Sequence, residues 1–522
     1  MSWRNFKSLF KHEKFNESQF ILGIDIGDAT SAICYFDANK KTTEIIDISG
    51  GYGKTTIPTA MQYLEDSQEW IFGEYAILNQ GIDGETMITN FFKKLGNNEY
   101  LDVNNKKMSV ADILGIYIGE LINSCKNINP KAEIAGIVVS TPNYFTDEAE
   151  QELKKAFEKT GFAKEVIDFL PYRECLLAYH YFNKKVPKEN ILVLDFGSRE
   201  LRGGLYSVKS KGEEILVETI SYMSDEDIGS KKIENVLTEL FTSYYQENKN
   251  ISRSEISKQD MYHMNSFVYQ NKDLIFQRNI LAKPIKLYFN FAFPPFQQSI
   301  NNEEVTNIID PFKKRLELFL EKLINKGMSE IPISFGDVDT VLCTGGGFEM
   351  FWPRSVIEDI FPDSNINFYK NSKIIASEGA AMLAAGKLGI IEEKIFKIDD
   401  LSKTKDDIGI YITKSKKEKQ FLPIIERGSF WKEKKSTCMV IVNQTTDKPF
   451  DIEIVKRAND GTLSILTFLE LAGLPERPAG TTRLKVSFQY ASCKELRVNI
   501  VDKGFGELFG ASDYSVEYFI PV

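Results

Sequence analysis

The sequence predicts two successive α/β layers followed by an all-β sandwich. Three observations carry this expectation. Apolar strand-like runs alternate with helically spaced segments from residue 21 to about residue 190. The alternation restarts at ILVLDFG (191–197) and continues to about residue 390. From about residue 405 the helical signal fades and period-two strands take over. The chain has 522 residues, enough for several buried cores, and at 43% hydrophobic and 26% charged residues it is too apolar for a disordered chain.

Elements follow in order. ILGIDIG, AICYF and TEIIDIS read as three strands between residues 21 and 48, and ADILGIYIGELINS (111–124) as a helix. IAGIVVS (134–140) is a buried-strand run, followed by a helix with Thr146 as N-cap and Gly161 as C-terminal stop. Residues 205–222 read as further strands. Residues 303–325 read as helix, with Pro311 interrupting or starting a segment. VDTVLCTGGG (338–347) is a strand running into glycines, and IIASEGAAMLAAGKLG (374–389) a small-residue helix suited to close packing. Beyond the polar linker 391–405, residues 438–457 read as one hairpin around a Thr-Thr-Asp-Lys-Pro turn, and TRLKVSFQY with KELRVNIVDKG as a second. The expected domains are an arm (1–20), a first lobe (21–189), a second lobe (190–390, with an insertion near 256–336) and the sandwich (406–522).

Composition narrows the function classes. A net charge of −10 disfavours a broad nucleic-acid surface. Six cysteines without CxxC spacing and three dispersed histidines give no zinc or disulfide framework, so a reducing cytoplasm is expected. No apolar run has the length of a transmembrane helix, and the first 20 residues lack the form of a secretory signal. Trp3, Phe6, Leu9 and Phe10 can form one face of a short basic helix, read as a flexible arm or a helix packed on the body, with a membrane or partner contact as the alternative.

Three strand-to-glycine turns carry the chemistry: GIDIG (23–27), LDFG (194–197) and CTGGG (343–347). Glycine lets backbone N–H groups approach phosphate oxygens, and an aspartate at a strand end can hold a divalent cation. Two Asp-x-Gly turns opening two α/β halves are far more specific than one.

At these residues the chain resembles the heat-shock protein 70 chaperones, within the actin, hexokinase and chaperone ATPase superfamily. The resemblance runs in order through GIDIGDATSAICYFD, IVVSTPNYFTDEAEQELKKAFEKTGF, FLPYRECLLAYHYF, ILVLDFGSRELRGGLYSV, VDTVLCTGGGFEMFWP and IIASEGAAMLAAG. It implies a two-lobed actin-like ATPase with a duplicated ribonuclease H-like core, an antiparallel peptide-binding β-sandwich, and ATP with Mg²⁺ as cofactors. By position, Asp25, Gly27, Asp28 and Thr30 belong to the first phosphate turn. Gly197, Ser198 and Arg199 belong to the second, and Gly345, Gly346 and Gly347 to the adenosine turn. Asp25 and Asp195 are the implied metal-side carboxylates. Lys93 and Asp195 are implied catalytic residues, and Val440 and Phe450 fall at the implied peptide channel.

The departures from the family point away from brisk turnover. Asp28 and Ala29 replace two threonines. Ser198, Arg199 and Glu200 crowd the second turn. The family's general base falls on Pro171, leaving Glu174 one helical turn on as its substitute, and its adenine-stacking arginine falls on Glu349. The arginine that grips J-domain partners falls near Ile167, and no helical lid is expected after the sandwich. The expected function is an ATP-binding chaperone with slow or impaired hydrolysis that holds extended polypeptide. The alternatives are an inactive scaffold for one dedicated partner and, further off, an actin-like filament protein.

Overall fold

The structure, a computed structural model, describes residues 19–27, 29–48, 54–79, 87–104, 106–131, 133–143, 145–212, 214–276, 284–325, 333–369, 371–399, 404, 406–415, 418–429, 436–458, 461–492 and 495–522. The N-terminal arm with Trp3, Phe6, Leu9 and Phe10 lies outside the described residues, as do Asp28 and Cys493. The described residues form two compact units. The first runs to Lys397 apart from Glu218–Tyr222; the second is Glu218–Tyr222 with Ile398–Val522.

In the first unit, β1 (Gln19–Ile26), β2 (Thr30–Asp37) and β3 (Thr42–Ile45) form an antiparallel meander. Helix α1 (Val110–Asn123) leads to β4 (Glu133–Thr141), α2 (Asp147–Thr160) to β5 (Val166–Pro171), and α3 (Tyr172–His180) follows. The sheet order is β5-β4-β1-β2-β3, with β1, β4 and β5 parallel. Helices cover its strands, so β1 is a nearly continuous buried run rather than an alternating one. The predicted caps are present. Thr146 Oγ1 accepts the Ala149 N–H at 3.2 Å, and Gly161 closes α2 at φ +82°.

The second set repeats this order. It comprises β6 (Glu189–Phe196), β7 (Leu201–Lys211), β8 (Glu214–Asp225), α4 (Ser230–Lys249), α5 (Lys258–Phe276), β9 (Ile285–Phe289), β10 (Phe296–Ile300), α6 (Asn302–Asn325), β11 (Thr340–Thr344), α7 (Phe351–Ile360), β12 (Asn365–Phe368) and α8 (Ile375–Lys387). Its sheet runs β12-β11-β6-β7-β8, again with three parallel strands and an antiparallel neighbour to the central one. The β9–β10 hairpin and α4–α5 share an aromatic core in which Phe289 stacks on Phe296 with centroids 4.5 Å apart.

Pro311 neither starts nor interrupts α6, which is continuous from Asn302 to Asn325. Proline removes the N–H owed to the carbonyl of Asn307, an exposed position where solvent can serve that oxygen. Ile395–Asp399, polar enough to be read as linker, is a strand.

Helix α8 lies on β1 and α3 with almost no spacing. A Cβ on Gly23 would sit 1.9 Å from the Ser377 carbonyl, and one on Gly379 would sit 1.8 Å from the Cys175 carbonyl. Cys34 Sγ is 3.1 Å from Ser377 Oγ across the same seam. Only glycine admits this backbone approach.

The second unit is a sandwich of two four-stranded antiparallel sheets. One contains β13 (Asp407–Ser415), β14 (Glu418–Ile425), β16 (Phe450–Arg457) and β17 (Leu463–Leu471); the other contains β15 (Ser436–Val442), β18 (Thr482–Ser492), β19 (Glu495–Asp502) and β20 (Ser515–Pro521). The orders are β14-β13-β16-β17 and β15-β18-β19-β20. Ile410, Ile454 and Leu471 meet Val486, Phe488 and Val498 in a single core. The predicted second hairpin, β18–β19, forms. The predicted 438–457 hairpin does not, because β15 and β16 enter different sheets. The intervening turn crosses the sandwich, anchored where Thr446 Oγ1 donates to the Pro475 carbonyl at 2.5 Å and its N–H donates to the Arg477 carbonyl at 3.1 Å. Alternation is the same for a strand paired with its chain neighbour and one that switches sheets, which is why the pattern misled.

A buried ion pair fixes that corner. Arg477 donates two bonds to Asp502, at 3.0 and 2.8 Å, and a third to the Gly510 carbonyl at 2.7 Å. Burial alone would raise the Asp502 carboxyl. Its bonds from Arg477, Ser512 and the Gly504 and Ser512 N–H groups outweigh burial and hold it at about 2.

Two outcomes follow. Gly379→Ala is expected to destabilise the first unit by about 1–3 kcal/mol through overpacking, read by urea denaturation, while Gly119→Ala, whose Cβ site is 4.0 Å from its nearest neighbour Thr160, lacks that clash. For Asp502, the depressed carboxyl contributes stability above the unfolded value of 3.8 that is lost as pH falls through about 2. Arg477→Ala is therefore expected to cost about 3–5 kcal/mol near neutral pH and less at pH values below that window, measured as a pH series of denaturation midpoints.

Candidate functional site

The site is built from turns of matching geometry at the ends of β1 and β6. The Gly27 N–H donates to the Thr30 carbonyl at 3.0 Å, and the Gly197 N–H to the Glu200 carbonyl at 3.0 Å. The second turn is also clamped to α4. The carbonyls of Gly197 and Ser198 accept the N–H groups of Ser230 (3.1 Å) and Lys231 (2.8 Å), satisfying donors that a helix start leaves open. The third turn follows β11. Gly345 has φ +86°, and a Cβ there would fall 2.5 Å from Asp195 Oδ1, so glycine is required on both counts. Gly347 lies flat against the Phe196 ring, and Gly346 lies beside Lys373.

Carboxylates from both halves share one field. Burial raises the Asp25 carboxyl to about 7. The Ser140 hydroxyl works against this, the charge of Asp195 adds to it, and Arg202 opposes it. Arg202 stands directly across the β6–β7 hairpin from Asp195, with Nη1 3.7 Å from Asp195 Oδ2. Its Nη2 and Nε donate to Glu200 Oε1 at 2.5 and 2.8 Å. Tyr172, first residue of α3, has its hydroxyl 3.0 Å from Thr344 Oγ1. Burial, then the charges of Asp195 and Asp25, push that phenol well above its usual range.

The predicted residues do not all converge. Asp25, Asp195, Gly197, Gly345 and the turn glycines are brought together as described. Glu174 is half-buried on α3, but the charges acting on it are Arg173, Asp168 and Lys387, not the carboxylates of the turns. Burial raises it to about 7. Pro171, at the expected base position, closes β5 opposite Thr141. Lys93 lies in the short helix Phe91–Lys94; its side chain is outside the described atoms. Glu349, at the adenine-side position, pairs with Lys373 at 3.1 Å. In the sandwich, Val440 and Phe450 are half-buried at the margin of the core.

Two contributors escaped the sequence reading, Tyr172 and Arg202. Arg202 was accessible in principle. A four-residue hairpin turn at 197–200 puts residue 202 opposite residue 195. Tyr172 carried no signal beyond its place after Pro171.

The donor set separates two implied ligands. Arg199 Nη1 is buried with no hydrogen-bond partner among the described residues, which suits an anion at the second turn. A resident Mg²⁺ fits less well. The Asp195 carboxylate already faces the Arg202 guanidinium, so a cation there would compete with a positive charge already in place.

The chain is similar to DnaK chaperones along nearly its whole length. It is 22% identical over 503 residues to "Chaperone protein DnaK" of Thermosipho africanus, covering 94% of this chain and 79% of that protein. To the Thermotoga maritima protein of the same name it is 23% identical over 504 residues, covering 94% and 80%. To "Chaperone protein dnaK1" of Synechocystis it is 23% identical over 514 residues, covering 93% and 70%. Residues 42–262 match a "Family of unknown function (DUF5716) C-terminal", and residues 403–522 a "Domain of unknown function (DUF8552)". The similarity is weak in identity but extends across both units, and it supports a divergent heat-shock protein 70-like family. The mixed α/β body and β-sandwich accord with it. No helix among the described residues is long and apolar enough to cross a membrane.

The raised Glu174 makes a checkable pH prediction. Its native carboxyl holds a proton up to about 7, against 4.5 unfolded, so stability falls as pH rises through that window. Glu174→Gln keeps the neutral form throughout. Its stability relative to the parent chain is expected to increase from pH 5 to pH 8 in urea titrations; parallel profiles would contradict the assignment.

Proposed function

We propose that the protein is a heat-shock protein 70-like chaperone whose paired turns bind ATP with impaired hydrolysis and whose β-sandwich binds extended polypeptide. The observation that carries the nucleotide half is the pair of matching turns ending β1 and β6, whose aspartates sense one another. Arg199, within the second turn, adds a buried Nη1 with no hydrogen-bond partner among the described residues. Gly27, Thr30, Ser198, Arg199 and the Gly345–Gly347 turn are the residues that would hold the nucleotide. ATP supplies a triphosphate whose binding and loss can favour one conformation over another.

Impaired hydrolysis is argued from the residues around Pro171, which cannot accept a proton. Its neighbour Tyr172 stays protonated near neutrality and so is no base either. Lys93, Asp195 and Glu174 remain the proposed participants in any residual turnover, with Glu174 raised to about 7 but facing Asp168 and Lys387.

The polypeptide half is supported by β15. It lies at the edge of its sheet, so among the described residues one side of its backbone has no strand partner. Met439 and Ile441, 49% and 48% exposed, alternate with Val440, which packs toward the core. An open edge with an apolar outer row suits strand addition by an extended chain. Phe450 and Val440 would shape the adjoining pocket. A second reading, a scaffold for one dedicated partner, is favoured by the Glu349–Lys373 pair at the adenine-side turn.

The test uses the whole chain. Calorimetry is expected to show ATP binding, single-turnover assays little hydrolysis, and fluorescence anisotropy binding of a labelled extended apolar peptide that Ile441→Glu weakens. Absence of both heat and thermal shift at millimolar ATP would sink the nucleotide half. Failure to bind any of a panel of apolar peptides, with one stoichiometric partner recovered by affinity purification, would favour the scaffold.

A further inference from the structure

The turn between β6 and β7 departs from a bare phosphate cradle in one consistent way. Within five residues, Ser198-Arg199-Glu200-Leu201-Arg202, it carries two guanidinium groups. Arg202 is held from two sides. Glu200, only 6% exposed, takes its Nε and Nη2, and Asp195 lies 3.7 Å from Nη1. That grip orients the guanidinium at the very carboxylate that would otherwise face a metal ion. The first turn has no counterpart, since the residue opposite Asp25 is Ala32.

We infer that Arg202 is the fixed counter-ion of this centre, standing where a divalent cation would otherwise neutralise the carboxylates, so that nucleotide phosphates bind without a metal. The inference rests on the nucleotide reading above and deepens it. A Mg²⁺ bound at Asp195 would share that carboxylate with the Arg202 guanidinium, and the two cations would repel one another. Displacing Arg202 would strand Glu200, the buried carboxylate it pairs with. Arg199, with Nη1 buried and unpartnered among the described residues, adds a second donor for the phosphates. Arg202 acts as a positioning residue here: it sets the charge around the carboxylates and need not touch the nucleotide.

The experiment is calorimetric titration of the full chain with ATP in EDTA and again in excess Mg²⁺. Equal or tighter binding in EDTA is expected. Binding about tenfold or more tighter with Mg²⁺ would overturn the inference while leaving the nucleotide reading intact. No binding in either buffer would overturn both. Two variants sharpen the result. Arg202→Ala is expected to weaken binding in EDTA by about tenfold and to recover it with Mg²⁺, whereas Arg202→Lys keeps metal-free binding. Should Arg202→Ala fail to fold, electron paramagnetic resonance of Mn²⁺ added with ATP to the parent chain decides. A signal matching Mn²⁺–ATP without protein supports the inference; stoichiometric capture of Mn²⁺ by the protein refutes it.

Discussion

The first unit depends on how closely α8 can lie against β1. The helix is drawn from the far end of the unit's sequence, yet its backbone comes to rest on the first strand and on α3, with Gly23 and Gly379 leaving room. Ala376, Ala380, Ala381, Ala384 and Ala385 are all buried there, so the seam is backbone on backbone with little side chain between. Such a contact has few soft degrees of freedom, because no long side chain can re-rotamer to absorb a shift. The end of β1 is therefore carried on a stiff frame. That stiffness holds Asp25 in place within the field of Asp195 and Arg202.

On that frame the two turns share a hydrogen-bond pattern and differ in charge. Both close with a glycine N–H on the carbonyl three residues later. Across the first hairpin the aspartate faces alanine; across the second it faces arginine. The backbone solution has been kept on both sides while the electrostatic one has been changed on one. Each turn is closed by main-chain hydrogen bonds, which do not depend on the side chains that follow the glycine. Charge neutralisation depends on whatever stands opposite, and that is where the two halves part.

The same division explains what was legible in the sequence. The strands of both sheets, the caps Thr146 and Gly161, and the close-packing character of α8 could be read because each rests on local pattern. The glycine turns could be read because an Asp-x-Gly ending an apolar run has few structural uses. Pairing partners could not. The segment 438–457 alternates as a hairpin would, but Thr446, Pro475 and Arg477 tie its turn across the sandwich. The continuity of α6 through Pro311 is decided by the exposure of one turn, which composition does not reveal. Glu174 lay at the right helical spacing, but rotation about α3 sets it among Asp168, Arg173 and Lys387, while Tyr172 turns toward the carboxylates. Two residues on one helix face opposite neighbourhoods, and only three-dimensional packing says which.

The Arg477–Asp502 pair has a consequence for how this sandwich can change over generations. Each partner is buried, and each is the other's principal compensation. A lineage that loses one first passes through an intermediate with a naked interior charge, so single-step drift at either position is closed. Escape requires both residues to change together, or a nearby loop to bring in a replacement. The corner that holds the crossing turn should thus behave as one heritable unit, inherited or lost whole, while the exposed strand edges around it remain free to vary.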